Sequence, residues 1–262
     1  GRLWWKRVGG KGWLIGSGME AAGDVDGEGR QDVVAGAPGL NSVFVFSGRD
    51  GHQLFKLMGD SADVDLGMAV AGVGDVNGDG RPDIAAGAPS RRSSGSATGR
   101  VYLFSGRDGE RLAARDGTRD GESFGTTVGG SGGQIIIGAS AGGDRSVGRV
   151  YIFDKLNPAP RFIREADSTG IALGNMFVSV VGDVDGDGTA DFYATDFANT
   201  ANGPATGRVY IYSGKTGATI RTFTGDGPHQ GFGIGAARAG DLNGDGAACG
   251  KSDPGTLQSA QC

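Results

Sequence analysis

One unit recurs along this chain and limits what it can fold into. GDVDGEGRQDVVAGAP begins at Gly23, GDVNGDGRPDIAAGAP at Gly74, GDVDGDGTADFYATDF at Gly182 and GDLNGDG at Gly240. Between the second and third of these, SFGTTVGGSGGQIIIGAS, from Ser123, keeps the flanks of the unit but has lost its acids. A second landmark follows each of the first four units: NSVFVFSG at Asn41, GRVYLFSG at Gly99, GRVYIFD at Gly148 and GRVYIYSG at Gly207. Successive units lie about 50 to 60 residues apart, which is the length of one four-stranded supersecondary unit and within the range of propeller blades.

Within unit two the strands follow from composition. LGMAVAGVG from Leu66 reads as strand one, DIAAGAP from Asp83 as strand two, VYLFSG from Val101 as strand three and ERLAAR from Glu110 as strand four, each bounded by Gly, Asp and Ser. Strand three is apolar on both faces, with Val101 and Leu103 pointing one way and Tyr102 and Phe104 the other. Such a strand needs a sheet on each side, and radially stacked blades supply one. Strand four alternates more, as in Arg161 to Arg164 or Thr219 to Phe223, which suits a half-exposed outer edge. The expected fold is all-β: a β-propeller of four-stranded antiparallel blades, about five, with the last incomplete or closed by the N-terminal strand. A sandwich or β-solenoid is the alternative. Composition agrees, since 54 Gly against 8 Pro, without a three-residue period, means many tight turns.

The fifth unit is unfinished. GFGIGAARAG supplies a first strand and then runs into AACGKSDPGTLQSAQC, which holds no apolar strand. LWWKRVGG, near the other end, reads as a fourth strand ahead of unit one. Residues 1–246 are therefore assigned to the propeller. Residues 247–262 are an irregular tail, stapled by Cys249 and Cys262 or serving as an assembly segment. Trp4, Trp5 and Trp13 all lie in this closing region, where core packing is the default role and a subunit contact the alternative. Open strand edges invite addition from a neighbour, which makes a homo-oligomer or polymer one expected partner state.

Each acidic loop carries acids or amides at positions one, three and five, glycine at six and an acid at nine. Odd-numbered side chains of a tight loop can converge on one point, and glycine at six permits the sharp turn. Four carboxylates so crowded repel one another unless a cation is present, and Ca²⁺ suits a large oxygen set better than Mg²⁺. Loop one offers Asp24, Asp26, Glu28 and Asp32, with the carbonyl of Arg30. Loop two offers Asp75, Asn77, Asp79 and Asp83, with Arg81, and loop four offers Asp183, Asp185, Asp187 and Asp191, with Thr189. Loop five has Asp241, Asn243 and Asp245 but Cys249 at position nine, which leaves its ion doubtful. About three Ca²⁺ sites are expected, and none in unit three. The alternative is a set of Asx-turns held by side chain to backbone bonds. An EF-hand does not fit, because no helical periodicity flanks the loops and no Glu stands at position twelve.

The order Leu66-Gly67, Phe124-Gly125, Leu173-Gly174 or Phe232-Gly233, then the acidic loop, then Gly36-Ala37-Pro38 or Gly87-Ala88-Pro89, resembles the FG-GAP repeat. That repeat builds the β-propeller of integrin α-chains and of many bacterial extracellular proteins. The resemblance covers about residues 14 to 246. It implies a propeller with Ca²⁺ in the loop between strands one and two, and an extracellular or cell-surface location. Unit three lacks the acids, and unit four has Ala194-Thr195-Asp196 in place of Gly-Ala-Pro.

Net charge is -5 and no basic run occurs, so a nucleic-acid interface is not expected. No apolar run approaches a membrane span, so membrane insertion is not expected, and the N-terminus lacks the apolar core of a signal peptide. His52 and His229 are the only histidines and leave little material for histidine-based catalysis. The expected function is a non-catalytic, calcium-stabilised binding, adhesion or self-assembling protein. A protein or glycan ligand would lie on the loop face opposite the metal loops, where Arg91, Arg92, Asp144, Arg145 and Asn202 are candidates. The alternative is a carbohydrate-active enzyme or lectin, for which Asp60, Asp63, Asp65, Asp116 and Asp120 keep a carboxylate pair available.

Overall fold

The computed structural model describes residues 3–60, 65–90 and 98–236. Among the described residues, sixteen strands form four sheets of four. Sheet one contains β1 (Met19–Gly23), β2 (Asp32–Ala37), β3 (Ser42–Phe46) and β4 (Gln53–Met58), and sheet two β5 (Ala69–Gly74), β6 (Asp83–Ala88), β7 (Arg100–Phe104) and β8 (Arg111–Asp116). Sheet three contains β9 (Phe124–Ser131), β10 (Gln134–Ala139), β11 (Arg149–Asp154) and β12 (Phe162–Glu165), and sheet four β13 (Val178–Gly182), β14 (Asp191–Asp196), β15 (Arg208–Tyr212) and β16 (Thr219–Thr224). Every sheet is an antiparallel meander in chain order, and the strands expected of unit two are found within a few residues.

The sheets pack face to face as propeller blades do. First strands lie together, β5 against both β1 and β9, and β13 against β9. Val34, Val43, Val45 and Leu57 of blade one meet Ile84, Ala86, Tyr102 and Phe104 of blade two. The other face of blade two, with Ala85, Val101 and Leu103, meets Ile135, Ile137 and Tyr151 of blade three. Ile136, Val150 and Ile152 then meet Phe192, Ala194 and Tyr210 of blade four. Strand three of blades one to three is thus buried on both sides, that of blade four has one half-buried face, and the core is a series of apolar seams between blades.

These seams explain the glycines. A Cβ on Gly36 would stand 1.8 Å from the carbonyl oxygen of Gly67, and Cβ atoms on Gly87 and Gly138 would stand 2.1 Å from those of Gly125 and Gly174. The glycine of each Gly-Ala-Pro position is therefore where the next blade's backbone, at its Leu-Gly or Phe-Gly turn, comes into contact. In blade four the ladder pairs Thr195 with Val209, as it pairs Gly36 with Val43 and Gly87 with Val101. The residues replacing Gly-Ala-Pro are therefore Thr195-Asp196-Phe197, one residue later than the sequence suggests.

LWWKRVGG does not form the fourth strand expected of it. Residues 3–18 carry no strand; Trp5, Trp13 and Ile15 instead lie on the face of blade one, against Ala35, Ala37, Phe44 and Phe46. Trp13 stacks on Phe44 with ring centroids 6.1 Å apart. Glycines at 9, 10, 12 and 16 weaken a strand here, and Gly10 lies directly against the Trp13 indole. Trp5 and Trp13 are packed as expected, whereas Trp4 is exposed with Arg30 over its ring. Residues 231–236 of unit five are turns, and Asp241, Asn243, Asp245, Cys249 and Cys262 lie outside the described residues.

Candidate metal centres

The acidic loops join strands one and two in blades one, two and four. The first acid of each shapes the loop. Asp24 accepts from the N–H groups of Gly27 (2.8 Å) and Gly29 (2.9 Å), Asp75 from Gly78 (2.6 Å) and Gly80 (2.9 Å), and Asp183 from Gly186 (2.7 Å) and Gly188 (2.9 Å). Both glycines of each loop have positive φ, between 78° and 86°, which a side chain would strain. The Asx-turn bonding is thus present, and it wraps the backbone around the first carboxylate.

The ninth residue does a second job. Asp32, Asp83 and Asp191 are fully buried, and each divides its two oxygens between two turns. One oxygen accepts from Val25, Val76 or Val184 in its own loop (2.7 to 2.8 Å). The other accepts from Gly48, Gly106 or Gly214 in the turn between strands three and four (2.8 to 3.0 Å). Desolvation pushes all three carboxyls above the ordinary Asp range, with these bonds opposing it. Two of these loops bring three carboxylates together: Asp24, Asp26 and Asp32, and Asp183, Asp185 and Asp191, with ligand atoms within 4.8 Å of one another. Oxygens at that separation can all reach one Ca²⁺ at about 2.4 Å, so the donor set fits a hard divalent cation. Loop two has an amide at position three, and Asn77 donates to Asp79 at 2.9 Å.

The fifth-position acids are not in these triads. Glu28 accepts from the Ser47 hydroxyl (3.2 Å) and faces Arg49 (3.6 Å), and Asp187 accepts from the Ser213 hydroxyl (3.4 Å). At position seven, the N–H groups of Arg81 and Thr189 donate to Asp79 and Asp187, and the Arg81 guanidinium lies against Gly27 of loop one. The serines Ser47 and Ser213 were not singled out in the sequence, although the SG that ends each strand-three landmark except unit three's marks them.

At the opposite end a second recurring arrangement ties blades together. The Tyr151 hydroxyl donates to buried Glu122, and the Tyr210 hydroxyl donates to Asp167 at 2.7 Å. The Tyr102 hydroxyl accepts from the backbone N–H of Asp60 at 3.1 Å. Arg100 and Arg208, two residues before the tyrosine, reach the same acids, Asp60 and Asp167, at 2.6 Å. Bonds from Thr169, Tyr210 and Arg208 outweigh desolvation at Asp167 and hold its carboxyl down at about 2. The tyrosines of all three GRVY segments and the arginines of blades two and four therefore anchor the preceding inter-blade loop, whereas Arg149 of blade three pairs with Glu165 of its own blade; blade one, with Ser42 and Phe44 at these places, lacks this anchor.

The candidate ligand residues of this end make structural contacts. Asp144 pairs with Arg119 (2.6 Å), Arg145 donates to the carbonyls of Ala166, Asp167 and Ser168, and Asn202 donates to Gly225 (2.8 Å). Asp120 is exposed, and Arg91, Arg92 and Asp63 lie outside the described residues.

Comparison with known families matches the FG-GAP repeat to residues 66–104, the span from Leu66 through loop two to the end of β7. Residues 66–104 are an FG-GAP repeat. The chain is also distantly similar to integrin alpha chains over part of its length. It is 34% identical to integrin alpha-6 of Gallus gallus over 117 residues, covering 38% of this chain and 10% of that protein. It is 29% identical to integrin alpha-V of Gallus gallus over 167 residues (55% and 16%), and 31% identical to integrin alpha-7 of Homo sapiens over 128 residues (42% and 10%). The chain thus spans between a tenth and a sixth of the length of these relatives. Among the described residues no helix is long and apolar enough to cross a membrane.

Proposed function

We propose that this chain is an extracellular, calcium-stabilised FG-GAP propeller that works by binding: adhesion to a protein or glycan ligand, or assembly with copies of itself. The carboxylate triads at Asp24, Asp26, Asp32 and Asp183, Asp185, Asp191 carry the reading, set in blades similar to those of integrin alpha chains. In this reading loops one, two and four each hold one Ca²⁺. The carbonyls of Arg30, Arg81 and Thr189 complete the sets, and Asp241, Asn243 and Asp245 offer a fourth set that lacks the ninth-position acid. Bound calcium supplies the positive charge that the crowded carboxylates lack, and it locks the loop to the turn that Asp32, Asp83 or Asp191 already staples.

The inter-blade acids argue against carboxylate catalysis. Asp60 and Asp116 both pair with Arg100 (2.6 and 2.5 Å), and Asp60 also pairs with Arg111 (2.6 Å). The Arg111 contact, ahead of the others, holds the Asp60 carboxyl below the ordinary range. A general acid needs the opposite shift, upward, to keep its proton at neutral pH. Solution mass by light scattering in millimolar calcium, repeated with chelator, tests the binding reading. A calcium-dependent oligomer supports assembly, and a monomer that captures integrin-type protein or glycan ligands only with calcium supports adhesion. A monomer whose mass, melting temperature and ligand capture all ignore calcium contradicts both.

A further inference from the structure

The turn between strands three and four reads Ser-Gly-Arg in blades one and two (Ser47-Gly48-Arg49, Ser105-Gly106-Arg107) and Ser-Gly-Lys in blade four (Ser213-Gly214-Lys215). Blade three, which has no acidic loop, has no such turn: its strand ends at Asp154 and Lys155 follows directly. Among the four described blades the two features occur together or not at all, and in blades one and four they touch. The serines are buried, each accepting from the N–H of the basic residue two positions on (3.2 Å). Ser47 and Ser213 donate to the fifth-position acids, Glu28 and Asp187. The basic residue lies over the same acid: Arg49 faces the second Glu28 oxygen at 3.6 Å, and the Lys215 ammonium donates to the Asp187 carbonyl at 3.4 Å.

We infer that this turn is a working part of the loop-one calcium centre, in which Ser47 positions the fifth-position acid Glu28 and Arg49 is a counter-ion that the metal displaces, with Ser213 holding Asp187 in the same way in loop four. The inference rests on the calcium reading of the loops. Without metal, Glu28 is shared between Ser47 and Arg49 and stands outside the Asp24, Asp26, Asp32 triad. Two oxygens on one carboxylate allow an exchange. The Ser47 bond holds one, while the other passes from Arg49 to the cation, and Arg49, already 69% exposed at its side chain, is freed to solvent. The arrangement lowers calcium affinity by the strength of the contact it breaks, and it keeps the metal-free loop partly neutralised. Loading loop one then makes the metal end of the protein more positive by the charge of the ion, and leaves the Arg49 guanidinium exposed without its carboxylate.

Calcium titration of Arg49→Gln, Ser47→Ala and Ser47→Thr proteins tests this, with Arg119→Gln at the opposite end as a charge control. Trp4, whose ring lies 5.6 Å from the Arg30 guanidinium of loop one, lets tryptophan-sensitised terbium emission report on that loop as Ca²⁺ displaces the lanthanide. Arg49→Gln is expected to bind calcium about threefold to tenfold more tightly at loop one. Ser47→Ala is expected to bind about fivefold more weakly, with Ser47→Thr restoring the affinity, and Arg119→Gln to match the parent. A tightened site cannot arise from misfolding, and opposite signs from adjacent residues cannot arise from net charge. Parent protein that binds calcium while Arg49→Gln leaves its affinity unchanged or weaker overturns this inference and leaves the calcium reading standing. Parent protein that gives no calcium heat and no terbium displacement overturns both.

Discussion

Blades three and four have the same four strands in the same order and pack against each other, yet they make their first turn differently. Blade four passes from β13 to β14 through Asp183, Asp185, Asp187 and Asp191. Blade three passes from β9 to β10 through Gly132 and Gly133, whose positive φ values of 59° and 87° suit a two-residue hairpin. A short glycine turn therefore suffices to build a blade, and the longer acidic loop is not required for the strands to pair. Its carboxylates, three of which converge in loops one and four, form a donor set that could hold a cation, and the proposed calcium reading gives them a role that the turn alone does not require.

The largest effect expected from testing this comparison lies at the seams, which blade three shares with its neighbours. Gly87→Ala places a Cβ 2.1 Å from the Gly125 carbonyl and should cost about 3 kcal/mol in chemical denaturation. Thr195→Ala, at the matching place in blade four where a Cβ is already present, should cost about 1 kcal/mol through the lost bonds to Phe177. Equal costs would mean that the glycine contacts are not what sets blade spacing.

Next comes the staple that the acidic blades have and blade three does without. Asp83→Ala strands the Val76 and Gly106 N–H groups and should cost about 2 kcal/mol with or without calcium. A cost confined to calcium-loaded protein would make Asp83 a ligand only. Calcium itself should contribute less for each site. At a free concentration ten times the dissociation constant, one site stabilises by about 1.4 kcal/mol. A chelator should therefore lower the melting temperature, and loss of the acids from one loop should remove about a third of the shift if three sites are equal. The smallest effect is at the other end of the blades. Tyr151→Phe removes the hydroxyl that donates to Glu122 and should cost about 1 kcal/mol. Blade one has Phe44 at that place, so a Phe44→Tyr change should give no matching gain.

Much of this was legible in the sequence because the repeat is regular. Strand three announced two buried faces through Val101, Tyr102, Leu103 and Phe104, and the loss of acids at 129 to 134 located the exceptional blade. What was missed depends on contacts between distant segments. LWWKRVGG has the composition of a strand, but Gly9 and Gly10 within it, Gly12 and Gly16 after it, and the apolar face of Phe44 and Phe46 draw it onto a sheet instead of alongside one. The tyrosine of GRVY read as apolar because its ring is; its hydroxyl, once buried, needs a partner, and that partner belongs to a loop some 30 to 40 residues away. Ser47 and Ser213 were hidden for the same reason, since their acids lie in the opposite hairpin of the blade.

Calcium stoichiometry in a chimera tests the central claim most directly. Residues 182–191 of blade four are replaced by Gly132, Gly133 and Gln134 of the blade-three turn, which keeps the strand register, and bound calcium is counted by equilibrium dialysis against the parent protein. The account predicts one ion fewer per chain with the circular dichroism of the β-sheets retained. An unchanged count, or a parent protein that binds no calcium, would contradict it.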